Sequence, residues 1–353
     1  MRILSRNVIY SFYPPEDKKL LIKDINMKKI VLVMGFLSLI SACSNDNSDG
    51  TLPELHAYSD DQNYVLERMQ WLGFDPSIVS TQELKDGLSV IFGYGGNVLV
   101  SVGEDGVLIV DTQFPEVYDA MLREINNLGG SSVDYVINTH FHFDHAEGNR
   151  AFGPMGADII AHENSMEFFQ AGADIDLVGI LWPQQPYEKL AMPRITYSDV
   201  LTLNLNGHSI DVMHFGPAHT TTDSMIYFKE SNVIHMGDVA NLTGLPYIDS
   251  GNGGTVDGMI NNVREVLEII NDETIVIPGH GEVSTKADIE VYVRKMEAVR
   301  DRIAVMIDEG MSLEEVMEAD PASDVFPSSP FDGATGLPAS QLFVNRAYDS
   351  MTN

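Results

Sequence analysis

His140, His142, Asp144 and His145 fall within six consecutive positions, in the run Asn138-Thr139-His140-Phe141-His142-Phe143-Asp144-His145. Three imidazoles and a carboxylate at this spacing form a metal-binding set. In extended backbone, residues two apart point to the same side, so His140 and His142 can grip one ion together. Asp144 and His145 are adjacent and diverge, which suits them to a second ion close by. Imidazole nitrogen and carboxylate oxygen, with no thiolate, match zinc or a similar borderline divalent metal. A surface cluster on a polar turn is the plain alternative, and candidate ligands further along the chain weigh against it.

Each of those candidates sits where a short apolar strand runs into a Gly- or Pro-containing loop. His219 follows the alternating run Ser209–Met213, Asp238 follows Asn232–Ile234, and His280 follows Thr274–Ile277. A rigid sheet positions such loops, which is why they so often carry chemistry. Gly279 and Gly281 flank His280 and let the backbone come close to a metal centre.

The ordered set His140-x-His142-x-Asp144-His145, then Gly216-Pro217-Ala218-His219-Thr220, Gly237-Asp238 and Pro278-Gly279-His280-Gly281 resembles the metallo-β-lactamase fold hydrolase superfamily. The resemblance is strong from Ser89 to Val283 and weaker in the helical tail. It implies that His140, His142 and His219 bind a first metal, that Asp144, His145 and His280 bind a second, and that Asp238 bridges them. The implied cofactor is two Zn2+, with iron or manganese as alternatives.

The elements that must position these residues can be read from periodicity. Ser89–Asp111 reads as strands separated by Gly-rich turns, and Tyr135–Asn138 is the strand feeding the first motif. Pro115–Asn127 reads as a helix, with Val117, Met121 and Ile125 at helical spacing. Val256–Ile270 places Met259, Val263, Val266, Leu267 and Ile270 on one stripe, as in a helix packed on a sheet. Lys286–Glu309 is a long helix, and Ser312 with Glu315 starts another as a capping box. Pro321–Pro338 is a loop before a last helix. Two strand-rich halves with helices outside give an α/β, four-layer αββα sandwich with the metals at one edge.

The chain, at 353 residues, can bury a substantial core. Met27-Lys28-Lys29 followed by the apolar run Ile30–Ala42 has the charged and hydrophobic regions of an export signal. That run is too short to span a bilayer as a mature helix. It ends in Ile40-Ser41-Ala42-Cys43, which resembles the bacterial lipoprotein cleavage box, and Cys43 is the only cysteine. The expected organisation is an upstream extension and signal over 1–42, a tether and lead-in over 43–80, and a hydrolase domain over 81–353. Translation from Met1 and from Met27 are both open. The resemblance implies a protein lipidated at Cys43 and held at the periplasmic membrane surface. Ser44 after the cysteine resembles the sorting signal for the outer membrane.

A net charge of −31 disfavours nucleic acid, whose binding needs a basic footprint. The expected partner is a small-molecule substrate, and nothing in the pattern fixes an oligomeric state. Thr220, Thr222 and Asp223 are candidates to fix a ligand imidazole from behind, or else simply cap the local turn. His162 is a candidate to line the cleft, and Asn241 and Tyr247 to touch substrate. His214 and His235 read as packed or hydrogen-bonded rather than ligating. The stretch Leu177–Tyr197, with Trp182 and Tyr187, is either an aromatic lid over the metals or a packing loop.

Two metals about 3.5–4 Å apart would make a bridging water available as hydroxide near neutral pH and stabilise both the oxyanion and the leaving group. Asp144 and Asp238 are the catalytic carboxylates of that scheme. The expected reaction is opening of a cyclic amide or ester, a β-lactam being the best single guess. A lactonase or thioesterase of the same superfamily is the alternative. No basic residue lies between Asp238 and Asp257 to hold a substrate carboxylate, which weighs against the lactam. An iron-dependent oxidoreductase of the same fold is a further alternative. In its diiron flavoprotein form, a Glu would stand where this chain has His142.

Overall fold

The computed structural model describes residues 75–93, 95–177, 181–327 and 337–352, with short pieces between 58 and 67. The signal region, Cys43 and most of the lead-in lie outside the described residues. Among those described, no helix is long and apolar enough to cross a membrane.

Two sheets carry the fold. The first contains β1 (Ser80–Glu83), β2 (Leu88–Phe92), β3 (Val98–Gly103), β4 (Gly106–Val110), β5 (Tyr135–Ile137), β6 (Asp158–His162) and, beyond a hairpin of β7 (Ala173–Asp176) and β8 (Leu181–Gln184), the edge strand β9 (Ile195–Tyr197). The second contains β10 (Val200–Leu205), β11 (His208–Met213), β12 (Met225–Phe228), β13 (Val233–His235), β14 (Ile275–Ile277) and β15 (Ser284–Thr285). The strand β1, starting at Ser80, lies across the boundary expected at 80/81 and pairs fully with β2.

Alternation along the strands divides the core. On β4, Leu108 and Val110 face the second sheet, while Val107 and Ile109 face outward. On β13 and β14, Val233 and Ile277 face the first sheet, while Ile234 and Val276 face outward. Each outward face is covered by helices. Helix α1 (Tyr118–Asn127) lies on the first sheet and buries Met121 and Ile125. A single-turn helix α2 (Phe143–Ala146) carries the end of the first motif, and α3 (Asn149–Phe152) and α4 (Ser165–Ala171) follow it. The second sheet is covered by α5 (Val256–Ile269), α6 (Lys286–Asp308), α7 (Leu313–Ala319) and α8 (Ala339–Thr352). Helix, sheet, sheet and helix are the four expected layers. The Ser312–Glu315 capping box is formed in both directions.

The strand directions place the chemistry. Strands β4 and β5 run parallel, as do β13 and β14. The segments leaving their C-terminal ends carry Asp111, His140–His145, Asp238 and His280. Asn97, just before β3, ties the two edges together. Its N–H donates to the Gly279 carbonyl at 2.7 Å. Its side-chain amide donates to the carbonyls of Pro278 and Gly281, each at 2.9 Å.

Candidate metal centre

The first motif is not a regular strand. His140 and Phe141 lie in bends after β5, and His142, with extended backbone at φ −61° and ψ 150°, caps the N-terminus of α2. The alternation expected of extended chain nevertheless holds. Phe141 turns outward into the core and stacks on Phe168 at 4.0 Å, while the imidazoles on either side turn toward the sheet edge. The first turn of α2 then presents Asp144 and His145.

Three groups of ligand atoms converge, each group within 4.8 Å: His140, His142 and His219; His140, His145 and Asp238; and Asp144, His145 and His280. All seven expected ligands are therefore brought together, and Asp238 faces both ends. It lies 3.2 Å from His145 Nε2, 3.5 Å from His280 Nε2 and 4.0 Å from His219 Nε2. Asp144 Oδ2 sits 3.0 Å from His280 Nε2.

The hydrogen bonds on the outer sides of the rings decide what the inner nitrogens are. His142 Nε2 meets the Asp249 carboxylate at 2.7 Å, and His219 Nδ1 meets the Tyr247 carbonyl at 2.8 Å. Both partners only accept, so both nitrogens donate, and in neutral rings His142 Nδ1 and His219 Nε2 carry lone pairs. Those two atoms face each other at 2.9 Å. Thr139 Oγ1 donates to Asp111 and accepts from His140 Nδ1 at 3.0 Å, leaving His140 Nε2 buried with no partner. His145 Nδ1 donates to Asp111 Oδ2 at 2.7 Å, and its Nε2 faces His280 Nε2 at 3.2 Å. Lone pairs turned on one another in a buried space call for a cation. The residues present therefore fit the divalent ions implied by their types.

Charge supports this. Burial, with His145, His219 and His142 close by, pushes the His140 imidazole well below its usual range, and burial with His142 pushes His219 to about 4. Burial alone would raise Asp238, but His280 and His145 outweigh it and hold the carboxyl well below the carboxylate range. Burial opposes protonation of His145, but Asp144, Asp238 and Asp111 outweigh it and raise it well above the usual value. Neutral imidazoles in the three-histidine group and an ionised Asp238 are the protonation states that metal binding needs, while at the other end an ion would displace the proton that the carboxylates favour on His145. Asp144 and His280 are partly exposed and the other ligands are buried, so the centre opens to solvent on their side.

Two supporting carboxylates, Asp111 and Asp249, carried no sequence signal beyond following an apolar run and lying in a loop. Close packing makes glycine necessary at two positions. A Cβ at Gly279 would lie 2.0 Å from Asp238 Oδ1, and one at Gly96 would lie 2.2 Å from the His145 ring.

Most of the remaining candidates are taken up by local bonding and packing. Thr220, Thr222 and Asp223 bond to one another: Thr220 N–H and Oγ1 donate to the Asp223 carboxylate at 2.8 and 3.0 Å, and Thr220 Oγ1 meets Thr222 Oγ1 at 3.0 Å. They cap the local turn, and no hydrogen bond described for them reaches a ligand imidazole. No contact described for His162 reaches a candidate ligand. The residue is buried, its Nε2 donates to the Ser198 carbonyl at 2.7 Å, and its ring stacks on His214 at 3.8 Å. His235 bonds the Asn97 carbonyl, as a packed histidine should. Asn241 acts through its backbone, pairing with His280 beside the Leu242 N–H that donates to the His280 carbonyl. Tyr247 does border the centre, with its ring 5.5 Å from His219 and 6.1 Å from His142. Trp182 is no lid. It is wholly buried and stacks on Phe143 at 4.1 Å, with Tyr58 and Phe114 edge-on.

A family model described as the metallo-beta-lactamase superfamily matches residues 91–280, more than half of the chain and every ligand named above. A probable metallo-hydrolase from Methanocaldococcus jannaschii is 21% identical over 198 residues, 55% of this chain and 92% of that protein. A probable hydroxyacylglutathione hydrolase from Schizosaccharomyces pombe is 24% identical over 175 residues, 49% of this chain and 57% of that protein. Among solved structures, a metallo-beta-lactamase from Pontibacter korlensis superposes with a TM-score of 0.52 at 14% identity, covering 62% of this chain and 99% of that one. A sec-alkylsulfatase from a Pseudomonas species gives 0.59 at 15% identity, covering 82% of this chain and 53% of that one. At these identities the structural likeness speaks for the fold.

Proposed function

The chain belongs to the metallo-beta-lactamase superfamily, and as a metal-dependent hydrolase of that family it is, we propose, a dinuclear zinc enzyme that opens a cyclic amide or ester. The observation carrying this reading is the set of inward-facing imidazole nitrogens on His140, His142, His145 and His219, whose outer nitrogens are committed as donors. Bound there, divalent ions supply an activated water and Lewis-acid stabilisation of an oxyanion. The same donors accept iron or manganese. His140, His142 and His219 hold one ion; Asp144, His145 and His280 hold the other; and Asp238 lies between them. Asp144, on the solvent side, and Asp238 are the catalytic carboxylates of this reading. Asp249, Tyr247 and Asp111 fix the ring orientations, so the ligands need not reorganise when an ion binds.

A β-lactam is the first substrate to test, with a lactone or thioester as the second reading. One observation favours the second. Beyond the Tyr247 wall, Arg346 Nη2 is tied to Asp176 and its Nε is buried, which holds that guanidinium back from a substrate carboxylate. The test is turnover of a chromogenic β-lactam and of an uncharged lactone by zinc-loaded protein beginning at Ser44, beside His140→Ala. Turnover of either that is lost in the variant supports the hydrolase and selects the substrate class. Two bound metals with neither substrate turned over would remove the cyclic amide or ester reading.

We also propose that the protein is exported and lipid-anchored through Cys43 in the outer membrane, as its amino-terminal pattern suggests. Cys43→Ser should move the protein from the membrane to the soluble fraction. An unchanged distribution would count against the anchor.

A further inference from the structure

The loop from Tyr247 to Thr255 holds the outer partners of two of the three histidines in the three-histidine group, His142 and His219. Its Tyr247 carbonyl accepts the hydrogen bond of His219 Nδ1–H, and its Asp249 carboxylate accepts that of His142 Nε2–H. The loop is also laced to the His219 segment by backbone. Asp249 N–H donates to the His219 carbonyl at 3.0 Å, and Thr255 N–H donates to the Ala218 carbonyl at 2.7 Å. At Gly254 a Cβ would stand 2.1 Å from the His219 carbonyl oxygen, so the two segments are in direct backbone contact. Movement of this loop would therefore turn two ligand rings.

The other side of the loop rests on the C-terminal helix. Ser250 Oγ, one residue from Asp249, donates to Asp349 Oδ2 at 2.6 Å. The Val256 N–H donates to Ser350 Oγ at 3.2 Å. Arg346 Nη2 donates to the Asp176 carbonyl at 2.7 Å and lies 2.9 Å from its carboxylate, while Tyr247 Oη donates to that same carbonyl at 2.6 Å. Asn252 Nδ2 donates to the Asp174 carbonyl at 3.0 Å and to Asp249 at 2.7 Å. The loop is thus clamped between β7 and α8. Helix α8 is itself anchored by Leu342, Phe343, Val344 and Ala347 in the core outside the second sheet. The polar contacts are additional to that anchoring, so they can be removed singly without undocking the helix.

We propose that Asp349 and Arg346 of α8 are positioning residues for the three-histidine half of the metal centre. They act through the 247–255 loop and leave the Asp144, His145 and His280 half untouched, because the outer partner of His145 is Asp111, which follows β4 of the first sheet. The proposal rests on the reading that His140, His142 and His219 share an ion. Outer partners of ligand histidines are typically worth about 10–100-fold in metal affinity. A contact one step further out should fall toward the lower figure.

The test measures zinc affinity by chelator competition in two backgrounds. His280→Ala leaves the three-histidine group intact, and His219→Ala leaves the other. Asp349→Ala is expected to weaken zinc about tenfold in the first background and leave the second unchanged. Asp349→Asn, which keeps an acceptor for Ser250, is expected to restore the affinity, and Arg346→Ala to behave like Asp349→Ala. Equal affinities with and without Asp349→Ala in the first background would overturn the proposal. So would an equal loss in both backgrounds accompanied by a lower melting temperature of the metal-free protein, since that marks general destabilisation. Failure of the His219→Ala and His280→Ala proteins and of the parent chain to bind zinc at all would instead defeat the metal reading itself.

Discussion

One carboxylate, that of Asp111, orients two ligand histidines. Its Oδ2 lies 2.7 Å from His145 Nδ1, and the same oxygen accepts from Thr139 Oγ1 at 2.8 Å, which in turn meets His140 Nδ1. Its Oδ1 accepts the Thr139 N–H at 2.7 Å, and its backbone is left-handed at φ 68°. That conformation is uncommon outside glycine but tolerated by Asp and Asn. Asp111→Asn keeps the backbone preference while removing one of the two acceptor oxygens. Zinc affinity and turnover should fall about 10–100-fold with the far-ultraviolet dichroism unchanged. Unchanged affinity would show that Asp111 does not set the ring orientations.

Gly279 gives a steric test of the bridging role of Asp238. A Cβ there meets Asp238 Oδ1 at 2.0 Å, but also the Gly237 carbonyl carbon at 2.6 Å and the Asp238 nitrogen at 2.8 Å. Rotating the carboxylate away is therefore not enough, and the backbone must shift. Gly279→Ala should cost about 1–3 kcal/mol of stability, as overpacking does. It should also reduce turnover by a factor of about 100 or more, since a misplaced group of this kind costs that much. Metal content and denaturation midpoints measured together would separate the two effects. A variant with full turnover would exclude the tight approach.

The cluster of candidate ligands was legible because ligation restricts residue types severely, and because each candidate follows a short apolar strand that is itself legible. The sandwich was legible for the related reason that alternation on β4, β13 and β14 marks two buried faces. Asp111 and Asp249 were not legible, since a lone carboxylate in a loop gains meaning only from what folds beside it. Distance explains the other gaps. Asp249 meets His142 across 107 positions of sequence, and Ser250 meets Asp349 across 99. Thr220, Thr222 and Asp223 had two equally good readings, and their described side-chain bonds satisfy the local turn. His162 was read from its place at a strand end and the Trp182 stretch was open between a lid and a packing loop; both side chains are buried in packing contacts.

Trp182 offers a direct check on that packing. It is wholly buried between Phe143, Phe114 and Tyr58, on the outward side of the first sheet. Trp182→Ala should therefore cost about 3–5 kcal/mol of stability, the usual loss for a large buried aromatic. The KM of the folded fraction should stay near that of the parent. A large rise in KM with unchanged stability would restore the lid.

Asp223 makes stability depend on pH in an unusual direction for a carboxylate. Burial raises its pKa to about 7 from the ordinary 3.8, against the opposing hydrogen bonds from the Thr220 N–H and hydroxyl. In the unfolded chain the proton leaves near the ordinary value, and in the folded chain near 7, so between the two the folded state holds the extra proton. The stabilising contribution is thus complete below about pH 4, declines as pH rises to about 7 and is gone beyond it. At about 1.4 kcal/mol per pH unit the whole span is worth at most about 4 kcal/mol. Asp223→Asn is uncharged at every pH and mimics the neutral acid, its amide oxygen accepting from the Thr220 N–H and its nitrogen donating to Thr220 Oγ1. Urea midpoints of the metal-free proteins at pH 5 and pH 8 should converge at the lower pH, with the variant the more stable at the higher. All other titrating groups are common to both chains and cancel in that difference, so parallel pH profiles would mean that Asp223 is ionised at both pH values.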